Sequence, residues 1–153
     1  MRIALYQPDI PQNTGTLLRL AACLGVALDI IEPAGFRLDD RALKRAGMDY
    51  LDLAALTRHR SWDAFEQDRT ARGGRLVLFT TRATASHIDF SYHPDDVLLF
   101  GRESAGAPEH VHQAADARLR IPMVGEARSL NLAVSAAIAL GEALRQVDGF
   151  PAG

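Results

Sequence analysis

Short apolar runs alternate along the chain with stretches whose apolar residues recur at helical spacing. Arg2 to Tyr6, Val26 to Ile31, Leu51 to Thr57, Arg75 to Thr80, Val97 to Phe100 and Arg118 to Met123 read as six strands. Leu76-Val77-Leu78-Phe79 and Val97-Leu98-Leu99-Phe100 are apolar at consecutive positions, so both faces of these strands need cover, as in a parallel sheet flanked by helices. Leu17, Leu18, Ala21, Ala22 and Leu24 mark a first helix that Asn13 or Thr14 caps and Gly25 ends. A short helix is expected from Leu38 to Ala46, opened by Asp39 and Asp40, and another from Ser61 through Asp68, stopped before Gly73-Gly74. The last helix is the longest: Ser129 is its expected N-cap, and Leu130, Ala133, Val134, Ala137, Ile138, Gly141 and Leu144 form its apolar stripe. Ala136, Ala137, Ala139 and Gly141 let another backbone approach closely. This helix is therefore expected to be buried on more than one side, in the domain or at a subunit interface. The fold class that follows is α/β, a mostly parallel sheet with helices on both faces, in one domain over residues 1–153.

Three of the strands end in polar loops: Thr80-Thr81, Gly101-Arg102-Glu103-Ser104-Ala105-Gly106-Ala107-Pro108, and Gly125 to Leu132. Open α/β sheets bind ligands beyond the carboxyl ends of their strands, so these loops frame a candidate pocket. Gly101 and Gly106 let backbone approach a ligand, and the amides opening the last helix suit a polar or anionic group. A bent ligand carrying adenosine and a carboxylate would fit there. Arg19, Glu103 and Asn131 place an arginine, a carboxylate and an amide on three separate segments. They have no common structural purpose unless they converge.

The formal net charge of −2 argues against coating nucleic acid through the overall field and leaves room for a local basic face. Two clusters, Arg41, Lys44 and Arg45, then Arg58, His59 and Arg60, are candidate phosphate contacts. Lys44 is the one lysine among 17 basic residues; the arginines suit planar, forked recognition of phosphate, though a GC-rich genome gives the same bias. The single cysteine, Cys23, is expected to be buried on a helix face, in a reducing cytoplasm. No signal peptide or membrane span is read from the sequence, so a soluble cytoplasmic protein is expected. Gly101 to Gly106 does not place Gly two residues before its Ser, as a nucleophile elbow requires. His110-x-His112 points in two directions on a helix and reads as surface histidine, not metal ligand. Neither a dinucleotide-binding Gly-x-Gly-x-x-Gly nor a phosphate-binding Gly-Lys-Ser/Thr loop occurs.

Asn13-Thr14-Gly15, the Gly101-Arg102-Glu103-Ser104-x-Gly-x-Pro loop and Ser129-Leu130-Asn131-Leu132, in this order and spacing, resemble the three motifs of the SPOUT class of RNA 2′-O-ribose methyltransferases. The likeness is greatest to the small tRNA (cytidine/uridine-34) 2′-O-methyltransferases and runs from Ile3-Ala4-Leu5-Tyr6-Gln7-Pro8 to Glu142-Ala143-Leu144-Arg145-Gln146. The resemblance implies a trefoil-knotted architecture, S-adenosylmethionine held near Phe79, Gly101, Ile121, Met123 and Ser129, and no metal. It also implies a homodimer, and transfer of a methyl group to the ribose 2′-hydroxyl of tRNA position 34. Arg19, Glu103 and Asn131 are then the expected catalytic residues, with Arg19 reaching the cofactor of the other subunit. Arg41, Lys44, Arg45, Arg58 and Arg60 are the expected RNA contacts. Where the motif varies between Gly-Pro-Glu-Thr and Gly-Arg-Glu-Ser this chain has the second form, so Arg102 is left between RNA phosphate and a salt bridge. Two readings from other classes stand beside this one: a silent RNA-binding module and a small-molecule methyltransferase. Methylation at another tRNA or rRNA position is a third.

Overall fold

The computed structural model describes residues 1–39, 41 and 55–153. Among them the apolar runs form β1 (Arg2–Tyr6), β2 (Ala27–Ile31), β3 (Leu56–His59), β4 (Leu76–Phe79), β5 (Val97–Phe100) and β6 (Ala117–Leu119). Every pairing is parallel, in the order β3-β2-β1-β5-β4-β6. The chain builds outward from β1 on one side and then crosses to build the other half. The order thus reverses between β1 and β5, where a crevice opens beyond the strand ends.

The helices are α1 (Pro11–Leu24), α2 (Trp62–Arg72), α3 (Glu109–Ala114) and α4 (Leu132–Gln146). Alternate strand residues divide between two cores, as the two-residue repeat of a strand demands. Ile3, Leu5, Leu28, Val77, Leu98 and Phe100 pack with Leu17 and Leu18 of α1 and Ala136, Leu140 and Leu144 of α4. Ala4, Tyr6, Leu76, Leu78 and Leu99 pack with Phe65 of α2 and Val111 of α3 on the other face. The expected α/β class, a parallel sheet covered on both sides, is the class observed.

Several boundaries differ from the reading of the sequence. Pro11 occupies the first turn of α1 with Ile10 as N-cap, so Asn13 and Thr14 lie inside the helix and are buried. Ser61 does cap α2, its hydroxyl accepting from Ala64 N–H at 3.1 Å, but the helix continues past Asp68 to Arg72 and ends at left-handed Gly73. β6 stops at Leu119, and Arg120 makes only an isolated bridge to Ser86. Cys23 is exposed, because α1 buries the stripe through Leu17, Leu18 and Ala21 instead. His112 is buried at 5% exposure, its Nε2 3.2 Å from Thr80 Oγ1, while His110 is exposed. Most of the helix expected over Leu38 to Ala46, and the start of the strand expected at Leu51, lie outside the described residues; in the described part β3 begins at Leu56 and runs to His59, two residues past the expected end at Thr57.

The last helix needs the largest correction. It starts at Leu132, not Leu130, and its N-cap is Asn131, whose Oδ1 accepts from Val134 N–H at 3.2 Å. Its buried face is Ala133, Ala136, Ala139, Leu140, Ala143 and Leu144. Leu130, Val134 and Ile138 of the expected stripe are 39%, 48% and 41% exposed. Both faces of α4 are apolar, so hydrophobicity alone could not decide which one turns inward.

Candidate functional site

Beyond the ends of β4, β5 and β6 lies a cleft of about 600 Å³, within the usual range for small-molecule sites. Its floor is aromatic: Phe79 and Phe100, the last residues of adjacent strands, stack with centroids 5.0 Å apart and planes 15° apart. Three polar walls rise from the strand ends, formed by Thr80-Thr81, by Gly101 to Ala107, and by Arg120 to Asn131.

The middle wall is a tight turn. Arg102 and Gly106 exchange backbone hydrogen bonds of 3.1 and 2.8 Å, closed by Gly106 at φ 66°. Gly101 is required by this turn itself, since a Cβ there would lie 2.5 Å from Ala107 N and from Gly106 C. Its role is thus close packing within the loop, not only room for a ligand.

Two polar ties fasten the walls to α1 and to the loop that leads into it from β1. Asn131 Nδ2 donates to Asn13 Oδ1 at 3.0 Å, joining the start of α4 to α1 across 118 residues. Asp9 N–H donates to Glu103 Oε2 at 2.9 Å, and Ser104 Oγ donates to Asp9 Oδ2. The Glu103 carboxyl is held above its ordinary value by burial and by the neighbouring Asp9 carboxyl. Asp9 is held below its own by hydrogen bonds with Glu103 and Ser104 and by the charge of Arg102. Arg102 Nη2 stands 3.7 Å from Asp9 Oδ2, so an ion pair accounts for part of this arginine.

The structure brings Phe79, Gly101, Ile121, Met123 and Ser129 together around this one cleft, with Glu103 and Asn131 in the same lining. Arg19 is not in the lining; it lies exposed on α1. Ser129 belongs to an exposed stretch from Val124 to Asn131, so its part is in the wall and not in capping the helix. Among the candidate RNA contacts, Arg41 and Arg60 are exposed, and Lys44 and Arg45 lie outside the described residues. Arg58 is engaged by Glu32 at 2.8 Å and by the Leu38 carbonyl at 3.0 Å. His59 is no surface contact: it is 6% exposed, its Nε2 2.8 Å from Asp29 Oδ1.

Sequence reading missed Asp9, Arg120 and Arg128 as neighbours of the site. Arg120 and Arg128 line the cleft, and Asp9 braces it through Glu103. The available signal for Asp9 was an acidic residue between Pro8 and Pro11 directly after an apolar strand. Among the described residues no group of three or more His, Cys, Asp or Glu side chains is placed to hold a metal ion. Nor is any described helix long and apolar enough to cross a membrane.

The cleft suits an adenosine-type cofactor by its own features: apolar lining from Phe79, Phe100, Ile121 and Met123, walls of loop backbone, and volume for a nucleoside with a charged tail. Comparison with known proteins agrees with these features. Residues 1–141 match the SpoU rRNA Methylase family. A tRNA (cytidine(34)-2'-O)-methyltransferase of Beijerinckia indica is 62% identical over 148 residues, covering 97% of this chain and 92% of the relative. A solved structure concerned with the 2-OH methylation of C/U34 on tRNA superposes with a TM-score of 0.90 at 46% identity, covering 97% of this chain and 96% of its own. An AdoMet-bound rRNA methyltransferase from Sinorhizobium meliloti superposes with a TM-score of 0.85 at 29% identity, over 94% of this chain and 55% of that one.

Proposed function

The chain belongs to the SpoU rRNA Methylase family, and on that footing we propose that it methylates the ribose 2′-hydroxyl of the wobble nucleotide, position 34, of tRNA, a cytidine or uridine derivative. It is an S-adenosylmethionine-dependent methyltransferase of SPOUT architecture. The observation that carries the reading is that one cleft at the strand ends is shared by the residues expected to hold the cofactor and by Glu103 and Asn131.

S-adenosylmethionine, when bound, supplies an electrophilic methyl group on sulfonium. Phe79, Gly101, Ile121, Met123 and Ser129 would hold it. Methyl transfer is an in-line displacement, so the protein's contribution is to align the target oxygen and to manage its proton. Glu103 and Asn131 keep two walls in register through Asp9 and Asn13. Arg19, exposed on α1, reaches the cleft of a partner subunit and acts on the hydroxyl there, as base or as stabiliser of the developing oxyanion. Arg41, Lys44, Arg45, Arg58 and Arg60 contact the anticodon stem-loop backbone; Arg58 does so while anchored by Glu32.

A homodimer completes this picture. Leu130, Val134 and Ile138, with Ile10 at 41% exposure, leave apolar surface that a second copy covers. The protein works in the cytoplasm, where its tRNA substrate is, and needs no metal.

Incubation with labelled S-adenosylmethionine and total tRNA, followed by nucleoside mapping, tests the reading. Label in a 2′-O-methylated nucleoside at position 34 supports it. Label confined to ribosomal RNA, to another tRNA position or to a small molecule overturns it, as does tRNA binding without incorporation.

A further inference from the structure

Asp9 and Glu103 approach each other from loops that follow adjacent strands, β1 and β5. With both groups ionised, Asp9 Oδ1 and Glu103 Oε1 are two acceptors shielded from solvent that no donor among the described residues reaches. Two adjacent carboxylates also repel, and shielding from water strengthens that repulsion. The remaining oxygens are occupied. Glu103 Oε2 accepts from Asp9 N–H at 2.9 Å, and Asp9 Oδ2 accepts from Ser104 Oγ and faces Arg102 Nη2 at 3.7 Å. Gly35 packs against the Asp9 Cβ and brings no charge of its own. One proton satisfies both stranded oxygens and removes one of the two charges. Ser104 and Arg102 both favour the charge on Asp9, which leaves the proton on Glu103.

We propose that Glu103 works as a neutral carboxylic acid whose Oε1 proton bridges to Asp9 Oδ1, so that both are positioning residues locking the loop after β1 to the loop after β5. Both Glu103 oxygens are then engaged, and neither takes a proton from the reacting hydroxyl. The lock holds Ile10 and Asn13 against the cleft from one side and Gly101 to Ala107 from the other. Its window lies between the lowered Asp9 value and the raised Glu103 value. Asp9's contribution is lost as pH falls through its folded value, and Glu103's as pH rises through its own.

The test uses the full chain and Glu103→Gln, Glu103→Ala and Asp9→Ala, read by infrared difference spectroscopy, thermal melting, cofactor calorimetry and methyl transfer to tRNA. A glutamine amide donates to Asp9 Oδ1 and its carbonyl accepts Asp9 N–H. Glu103→Gln therefore binds cofactor and transfers methyl measurably better than Glu103→Ala, and loses the alkaline fall of melting temperature. Glu103→Ala weakens cofactor binding and lowers the melting temperature, as does Asp9→Ala. The wild type shows a protonated-carboxyl band at neutral pH that Glu103→Gln lacks. A Glu103→Gln protein that folds and binds cofactor yet transfers methyl no better than Glu103→Ala overturns the proposal, as does absence of the band. Only the transfer readout rests on the methyltransferase reading. A wild type that transfers no methyl to RNA refutes that reading, while spectroscopy, melting and calorimetry still decide the proton.

Discussion

Arg19 and Gly101 show how differently single residues serve this cleft. Arg19 lies on α1 outside the lining, so its replacement should leave its own subunit's cofactor wall intact. Arg19→Ala and Arg19→Lys should bind cofactor normally in calorimetry while methyl transfer falls about 10²-fold or more, the scale of lost acid–base help. Near-normal transfer would remove Arg19 from the mechanism. Gly101→Ala should abolish cofactor binding because its Cβ collides with the backbone of Gly106 and Ala107. Gly125→Ala, on the opposite wall, meets no atom within 4 Å and should fold as the wild type does. Asp29 is a different kind of site: fully buried in β2, it accepts from Arg2 at 2.7 and 2.8 Å and bonds His59. Burial pushes its carboxyl up, but the Arg2 and His59 hydrogen bonds bring it net below its ordinary value. Its stabilisation is therefore present above about pH 4 and lost as pH falls through the lower folded value. Asp29→Asn should cost about 3–5 kcal/mol, as breaking a buried ion pair does, and should flatten the acid limb of the melting curve. An unchanged acid limb would mean that another group drives it.

At the scale of elements, α4 carries two functions at its first turn. Asn131 caps the helix with its carbonyl oxygen and ties it to α1 with its amide nitrogen. Asn131→Ala should cost about 1–2 kcal/mol for the cap and should also weaken cofactor binding, because the wall from Arg120 to Asn131 loses its anchor. Ser129→Ala should leave the melting temperature almost unchanged, which distinguishes the observed cap from the expected one. Ser129 and Asn131 are both good N-caps in one short segment, and local preference does not separate them. What decides is Asn13, which becomes a neighbour only once α1 packs on α4.

The whole molecule is expected to act as a pair. Light scattering should give a mass near 33 kDa, twice the 16.6 kDa of one chain, and Val134→Glu with Ile138→Glu should give a folded monomer without methyl transfer. A monomeric wild type at micromolar concentration would count decisively against the shared site. Mixing Arg19→Ala with Gly101→Ala should restore part of the activity, since one composite cleft then keeps both functions. The sequence by itself determined the parallel sheet, its four most apolar strands and the three polar loops, because continuous apolar runs and glycine-bearing segments are local signals, whereas the strand expected over Leu51 to Thr57 is seen only at Leu56–His59 and the one expected over Arg118 to Met123 ends at Leu119. It placed Gly101, Glu103 and Asn131 as candidates on those loops, and the family resemblance added Phe79 at the end of β4. Only the tertiary structure decided which face of α4 turns inward, why Cys23 is exposed while His59 and His112 are buried, and that Asp9 braces Glu103. Each of these depends on what packs opposite, and residues 9 and 103 or 13 and 131 meet only after the strand order has reversed at β1 and β5.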